Sequence, residues 1–152
     1  MKVVDMILAI THEQKQRLVK NKLQYYNTGD KIHKKQLEFH KCKAKNRWVF
    51  GGNRSGKTEC GAVEVVYYAR GNHPYKNLTK ATTGWVVSLS SQVQRDVAQA
   101  KILNYINPDW IVDVSMLSGR KDNPSGGVID YILIKNIFGT IVYKILLDNG
   151  LI

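Results

Sequence analysis

The chain has 152 residues and a formal net charge of +11, with two cysteines and four histidines. This length allows one domain with a sizeable core and excludes two ordinary ones. No apolar run approaches the ~20 residues that cross a bilayer, and neither the cysteines nor the histidines have disulfide or zinc spacing. A cytoplasmic protein without a membrane segment is therefore expected.

The positive charge is concentrated in the first third of the chain. Residues 1–47 contain 12 of the 23 Lys and Arg residues but only 4 of the 12 Asp and Glu residues. Such an excess favours polyanions such as DNA or RNA, because each phosphate contact releases counterions. A solvated lysine-rich surface explains the same composition, so charge alone leaves both interpretations open.

Helices are predicted for the N-terminal part. Residues 1–10 are interpreted as an apolar packing segment, and Thr11 with Gln14 has the pattern of a capping box that starts a helix reaching about residue 26. The sequence Asn27-Thr28-Gly29-Asp30 breaks the chain before a second helix over about 31–40. Spacings of three and four place four residues on one face of that helix: Ile32, Gln36, Phe39 and His40.

From residue 47 onward, strand and helix patterns alternate. Predicted strands cover 47–50, 85–89, 128–135 and 140–147, and predicted helices cover 57–70 and about 91–105, with a loop at 119–127. This order predicts an α/β layer fold with a mostly parallel sheet flanked by helices. The sequence is therefore predicted to divide into two regions: a basic helical segment at 1–46 and an α/β core at 47–152.

A glycine-rich loop lies between the predicted strand at 47–50 and the predicted helix at 57–70. Its eight residues match the phosphate-loop pattern G-x-x-x-x-G-K-[ST]: Gly51, Gly52, Asn53, Arg54, Ser55, Gly56, Lys57 and Thr58. Glycines let successive backbone N–H groups converge on phosphate oxygens, and the helix N-terminus adds its positive dipole end. Lys57 is expected to reach the β and γ phosphates of ATP, and Thr58 to bind Mg²⁺. The competing interpretation is a glycine turn followed by a lysine, which the flanking strand and helix patterns disfavour.

Three segments together resemble the N-terminal ATPase part of tailed-phage terminase large subunits. They are QLEFHKCKAKNRWVFGGNRSGKTECGAVEVVYYARGNHPY (36–75), GWVVSLSSQVQRDVAQAKILNYINPDW (84–110) and the KNIFG turn (135–139). The resemblance covers most of the chain from about residue 31. It implies an incomplete P-loop NTPase fold for residues 47–152 and the front part of an ATP-driven DNA-packaging motor. Implied cofactors are ATP and Mg²⁺, and implied partners are double-stranded DNA, the small terminase subunit and the portal, in the bacterial host cytoplasm.

The resemblance also assigns roles to single residues. Gln36 corresponds to the glutamine that recognises adenine, a task that suits an amide because it both donates and accepts hydrogen bonds. Arg54 is a candidate for the arginine that stabilises transition-state charge, with Arg47 and Arg120 as weaker candidates. Phe39 is expected either to stack on the base or to fill the core, and the sequence leaves both open.

One element of such an ATPase is missing from the sequence. A P-loop ATPase needs an apolar strand ending in Asp-Glu, which supplies a magnesium partner and a carboxylate that activates water. No Asp-Glu pair occurs in the 152 residues, and the nearest imitation, Ile145 to Asn149, has asparagine in the glutamate position. We therefore expect a truncated chain that binds nucleotide without efficient hydrolysis, with an apolar sheet edge that favours self-association. A helicase-like motor fragment and a non-catalytic basic remnant that binds nucleic acid or a partner stay open as alternatives.

Overall fold

The computed structural model describes residues 3–79, 83–137 and 142–148. Its helices and strands are, in chain order, α1 (Val3–Lys20), α2 (Lys34–Lys41), α3 (Lys57–Arg70), β1 (Thr83–Val87), α4 (Ser91–Val93), α5 (Ala100–Tyr105), β2 (Ile111–Ser118), β3 (Val128–Lys135) and β4 (Val142–Asp148). A π-helix at Gln94–Gln99 joins α4 to α5, and short 3-10 turns lie at Lys22–Tyr25, Gly29–Lys31, Pro108–Trp110 and Pro124–Gly126. The chain is thus a mixture of helices and strands.

The four strands form one sheet in the order β1-β4-β3-β2. Strand β1 pairs in parallel with β4, whereas β4 with β3 and β3 with β2 are antiparallel pairs. The mixed composition agrees with an α/β fold, but the predicted mostly parallel sheet is not what these strands form. The physical reason is the connection between β3 and β4, because consecutive strands joined by a short link pair antiparallel.

The core lies between the sheet and two helices, α3 and α5. Its buried side chains are Ala62, Val63, Val66 and Ala69 from α3; Ile102 and Tyr105 from α5; and Ile106, Val114, Ile129, Ile132 and Ile134 from the following turn and strands β2 and β3. Helix α3 therefore reaches the sheet through one apolar stripe, with residues spaced by three and four. Because the same helix begins at the glycine-rich loop, the core holds that loop in place.

Two buried glutamines attach the π-helix to β3. Gln94 donates to the carbonyl of Ile129 at 2.8 Å, and Gln99 donates to the carbonyl of Gly127 at 2.9 Å while accepting from the N–H of Ile129 at 2.9 Å. Paired contacts of this kind explain why Gln99 is tolerated in the interior, whereas the buried Oε1 of Gln94 has no partner among the described residues. The predicted helix over about 91–105 is confirmed, and Ser90 caps it by accepting from the N–H of Val93.

Three local predictions are wrong. Thr11 does not start a helix, because α1 already runs from Val3, and its hydroxyl donates back to the carbonyl of Ile7 at 2.7 Å. The apolar residues near the N-terminus are exposed rather than packed, with Ile7 58% exposed.

The segment 47–50 is not a strand, and Trp48 and Phe50 are 83% and 89% exposed. An apolar run becomes a strand only when a neighbouring strand satisfies its backbone groups.

Strand β2 was not predicted from the sequence, although it pairs with β3 over its whole length. The predicted break at Asn27 to Asp30 is confirmed, but α2 begins later than expected, at Lys34. The end of α3 at Gly71 is confirmed: Gly71 has φ +70° and the N–H of Asn72 donates to the carbonyl of Tyr67. The predicted turn at 136–139 lies partly outside the described residues.

Gly127 offers a test of the β2–β3 packing. A Cβ built on Gly127 would lie 2.1 Å from the carbonyl oxygen of Ser118, a backbone atom that cannot move aside alone. We expect Gly127→Ala to lower the free energy of unfolding by about 2 kcal/mol in urea titrations. The matched control is Gly61→Ala in α3, where a Cβ meets nothing within 4 Å. That variant should raise stability by roughly 0.5–1 kcal/mol through helix propensity. Equal effects of both changes would contradict this packing.

Candidate nucleotide site

The glycine-rich loop turns into α3 at a glycine with left-handed backbone. Gly56 has φ +80° and immediately precedes α3, so the loop turns sharply into the helix N-terminus. Arg54 also has a positive φ, +59°, which is uncommon for a residue with a side chain. The first N–H groups of α3 have no intrahelical partner and face the same end of the helix. The loop therefore ends at a helix N-terminus, whose free N–H groups and positive dipole end suit an anion.

Lys57 folds back across this loop. Its ammonium donates to the carbonyls of Gly51 and Gly52, both at 2.6 Å, and to the hydroxyl of Ser55 at 3.1 Å. Carbonyl oxygens are weaker acceptors for an ammonium than charged phosphate oxygens are. The lysine is therefore held at the loop by contacts that a phosphate group could replace. Thr58, Asn53 and Arg54 are exposed, and Thr58 is the second residue of α3.

A cleft of about 510 Å³ lies beside the loop, and its other wall is α2. Gln36 and Phe39 line it from α2, and Gly51, Ser55 and Lys57 line it from the loop side. Basic and potentially basic side chains also border it, namely His33, Lys34 and Lys35. The structure thus brings together the two groups of residues that the sequence assigned to the base and to the phosphates. This volume is within the range of small-molecule sites.

Gln36 touches the loop directly. Its amide nitrogen donates to the carbonyl of Gly56 at 3.1 Å, and its oxygen accepts from the hydroxyl of Tyr26 at 3.1 Å. A Cβ at Gly56 would lie only 2.7 Å from that amide nitrogen, so glycine is required for the approach as well as for the positive φ. Phe39 is half-buried, with the guanidinium of Arg47 4.3 Å from its ring centroid.

The arginine candidates have different surroundings. Arg47 donates to Glu64 at 2.5 Å and to the carbonyl of Phe39 at 2.9 Å, so its guanidinium is engaged inside the protein. Arg120 is an exposed partner of Asp122 in the loop before β3. Arg54 is exposed within the glycine-rich loop itself, which leaves it nearest to the expected phosphates among the three.

A buried carboxylate, Glu64, holds the surrounding segments together. His40 and His73 donate to its Oε2 at 2.5 and 3.1 Å, and Arg47 and Lys76 donate to its Oε1 at 2.5 and 2.9 Å. These donors come from α2, from the segment before the loop and from the segment after α3. Burial alone would raise the pKa of Glu64, but the four hydrogen bonds outweigh it and hold that pKa well below its ordinary value.

The two histidines of this cluster serve the carboxylate rather than a metal ion. His40, Glu64 and His73 offer ligand atoms within 4.8 Å of one another. The guanidinium of Arg47 and the ammonium of Lys76 already occupy the other carboxylate oxygen, so a divalent cation would enter a positive environment. The N–H of Tyr75 donates to Nδ1 of His73, which leaves the Nε2 proton to donate to Glu64. We interpret the cluster as a closed hydrogen-bond network.

Sequence reasoning missed this network, although one signal was present. Glu64 interrupts the apolar run of Ala62, Val63, Val65 and Val66 in the buried stripe of α3. A carboxylate in such a position has to find donors or lose its charge. The identity of those donors depends on the tertiary fold, because they are 9 to 24 residues away along the chain.

Comparisons with known proteins add no assignment: no protein-family model, curated protein or solved structure matches the chain. Among the described residues, no helix is both long and apolar enough to cross a membrane.

Glu64 yields a prediction about stability and pH. Because the folded-state pKa is depressed, the ionised carboxylate stabilises the protein fully above its unfolded pKa of about 4.3, and the contribution is lost as pH falls below that value. We expect Glu64→Gln to lower the free energy of unfolding by about 3 kcal/mol at pH 7, since it leaves His40, Arg47, His73 and Lys76 without the charge that they surround. The difference from wild type should shrink between pH 5 and pH 3.

Urea unfolding followed by circular dichroism at pH 7, 5 and 3 measures this difference. Glu38→Gln is the matched control, because Glu38 is an exposed glutamate of α2. It should change stability by less than about 0.5 kcal/mol at every pH. A gap between wild type and Glu64→Gln that stays constant from pH 7 to pH 3 would contradict the ionised network.

Proposed function

We propose that this chain binds ATP with Mg²⁺, with the phosphates at the loop Gly51 to Thr58 and the base in the cleft beside α2. The observation that carries the proposal is the position of Lys57, whose ammonium lies across the loop carbonyls at one end of a 510 Å³ cleft. Gln36 and Phe39 line the same cleft and offer an amide and an aromatic ring to a base. Lys57, the ring of Phe39 and the amide of Gln36 can thus contact the phosphates, the face of the base and the edge of the base, respectively.

The proposed chemistry is binding rather than rapid hydrolysis. Among the described residues that line the cleft there is no aspartate or glutamate. The two glutamates of α3 are engaged elsewhere: Glu59 pairs with Lys101 and accepts from Tyr105, and Glu64 is surrounded by its four donors. The described lining residues thus provide no carboxylate to activate a water molecule at the γ phosphate, which is the group that P-loop ATPases use.

Lys57 gives the direct test. We expect Lys57→Ala to weaken the binding of Mg²⁺-ATP at least about tenfold in isothermal titration calorimetry, because charge-assisted contacts to phosphate are lost. Lys43→Ala is the control, since Lys43 is an exposed lysine in the connector between α2 and the loop. It should leave the affinity within about twofold. Equal affinity of wild type and Lys57→Ala, or no binding by wild type, would overturn the proposal.

In the wider setting, we propose that the chain is the ATP-binding front part of a terminase-type DNA-packaging motor. The support is the resemblance over residues 36–75, 84–110 and 135–139 together with the basic charge of residues 1–47. On this proposal the partners are double-stranded DNA, a small terminase subunit and a portal, and the setting is the host cytoplasm. The exposed aromatic side chains of Trp48, Phe50 and Trp85 favour further association, including self-association.

A DNA-binding measurement separates the packaging motor from a helicase-like motor. A packaging motor acts on duplex DNA, so the affinity for a duplex should equal or exceed that for a single strand of the same length. Fluorescence anisotropy at several salt concentrations should show affinity falling steeply with salt, as counterion release requires. A marked preference for the single strand would contradict the packaging assignment and favour the helicase-like alternative. Absence of DNA binding at low salt would contradict both.

A further inference from the structure

A chain of polar contacts connects the buried carboxylate to the glycine-rich loop. Glu64 accepts from Nδ1 of His40, and Nε2 of His40 lies 3.1 Å from the hydroxyl oxygen of Tyr26. That hydroxyl donates its single proton to Oε1 of Gln36, so the His40 link requires Nε2 to donate to the hydroxyl oxygen. The amide nitrogen of Gln36 in turn donates to the carbonyl of Gly56. The path begins at Glu64 on α3 and passes through His40, Tyr26 and Gln36. It ends at Gly56, the residue that precedes α3. Its two ends are therefore fixed to the same rigid helix.

Tyr26 is the central link of this chain and is held firmly. Its ring stands edge-on to the rings of His40 and Tyr105, with centroids 5.6 and 5.8 Å apart. Burial, followed by the neighbouring Cys60, raises the pKa of Tyr26 above its ordinary value. The hydroxyl accordingly keeps its proton at neutral pH, as a donor to the oxygen of Gln36 must.

We infer that Tyr26 is a positioning residue for ligand binding, which orients the amide of Gln36 toward the base portion of a nucleotide in the cleft. This inference rests on the proposed nucleotide site and concerns how that site distinguishes a nucleoside triphosphate from its phosphates alone. One amide proton of Gln36 is used by Gly56, and the second remains for an acceptor on the base edge. Fixing the amide beforehand removes the rotamer entropy that binding would otherwise cost.

The contacts of Lys57 at the phosphate end are separate from this chain, which meets the loop at the carbonyl of Gly56. Lys57 is held by Gly51, Gly52 and Ser55, and these contacts are all within the loop. Loss of the Tyr26 hydroxyl should therefore affect the base portion of the ligand and spare the phosphates. A purely structural role would reduce the binding of both ligands together, through the folded fraction.

The experiment compares ATP with inorganic tripolyphosphate, both with Mg²⁺, by isothermal titration calorimetry. We expect Tyr26→Phe to weaken ATP binding by about fivefold to tenfold and to leave tripolyphosphate binding within about twofold, since one hydrogen bond is lost. Tyr67→Phe is the matched control, because its ring also packs edge-on to His40 at 5.6 Å while its hydroxyl lies outside the chain of contacts. It should leave both affinities unchanged.

A second pair of variants tests the same chain at the carboxylate. His40 and His73 are both buried and both donate to Oε2 of Glu64, but only His40 continues to Tyr26. We expect His40→Gln to lower the ATP to tripolyphosphate affinity ratio and His73→Gln to leave that ratio unchanged, even where both lower stability. An equal change in the ratio for both histidine variants, or an unchanged ratio in both Tyr26→Phe and His40→Gln, would overturn the inference.

A readout without ligand separates this inference from the proposed function. In wild type the side-chain amide protons of Gln36 should exchange slowly with solvent in NMR spectra, and in Tyr26→Phe they should exchange several times faster. Slow exchange of the Gln36 amide protons in wild type without ATP binding would contradict the proposed nucleotide site while supporting the positioning of Gln36. Fast exchange already in wild type would overturn the positioning role, whatever the nucleotide affinity.

Discussion

The arrangement of the candidate site depends on one buried charge, the carboxylate of Glu64. A carboxylate on the buried stripe of a helix is costly unless donors surround it. Here four donors do so, and they come from α2, from the segment before the glycine-rich loop and from the segment after α3. These segments add no residue to the buried apolar cluster, so their positions relative to α3 follow from this electrostatic requirement together with the ring contacts of His40 and His73 to Tyr67.

That constraint explains how a short chain builds both sides of a cleft. The apolar stripe of α3 is fixed against β3 and α5, and the N-terminus of the same helix carries Gly56, Lys57 and Thr58. Glu64 lies two turns after Lys57 on α3, and its hydrogen bond with His40 holds α2 beside α3. Gln36 lies one turn before His40 on α2 and consequently reaches the carbonyl of Gly56. Because of the helix spacing of α2, the hydrogen bond between His40 and Glu64 also places the amide of Gln36 beside the glycine-rich loop.

Local and non-local features differ in how far the sequence predicts them. The turn into α3 at Gly56 and the stop at Gly71 depend on glycine conformations within a few residues, and both glycines have a positive φ. The segment 47–50 has a strand-like composition, but a strand needs a partner, and sequence periodicity does not reveal whether one is present. Strand β2 was overlooked because bulges break its alternation: its register with β3 shifts at three places.

The same distinction applies to the site. Gln36 and Lys57 were recognisable from a motif and a resemblance, and the fold brings them to one cleft. The network contacts of Tyr26, His40, Arg47, His73 and Lys76 were not predicted, since each residue acts through Glu64 or Gln36 and these partners are distant in sequence. The mostly parallel sheet was predicted from the alternation of strands and helices, whereas the short link between β3 and β4 favours an antiparallel pair.

The central claim is that one ligand spans the loop and α2. The most direct measurement is a titration with Mg²⁺-ATP, followed by NMR on protein labelled with ¹⁵N, observing backbone amides and the side-chain amide of Gln36. We expect saturable chemical-shift changes concentrated at residues 51–58 and at Gln36. With inorganic tripolyphosphate, only the loop should respond. Shifts spread over the basic N-terminal helix without a response from the loop, or no shifts at millimolar ATP, would contradict it.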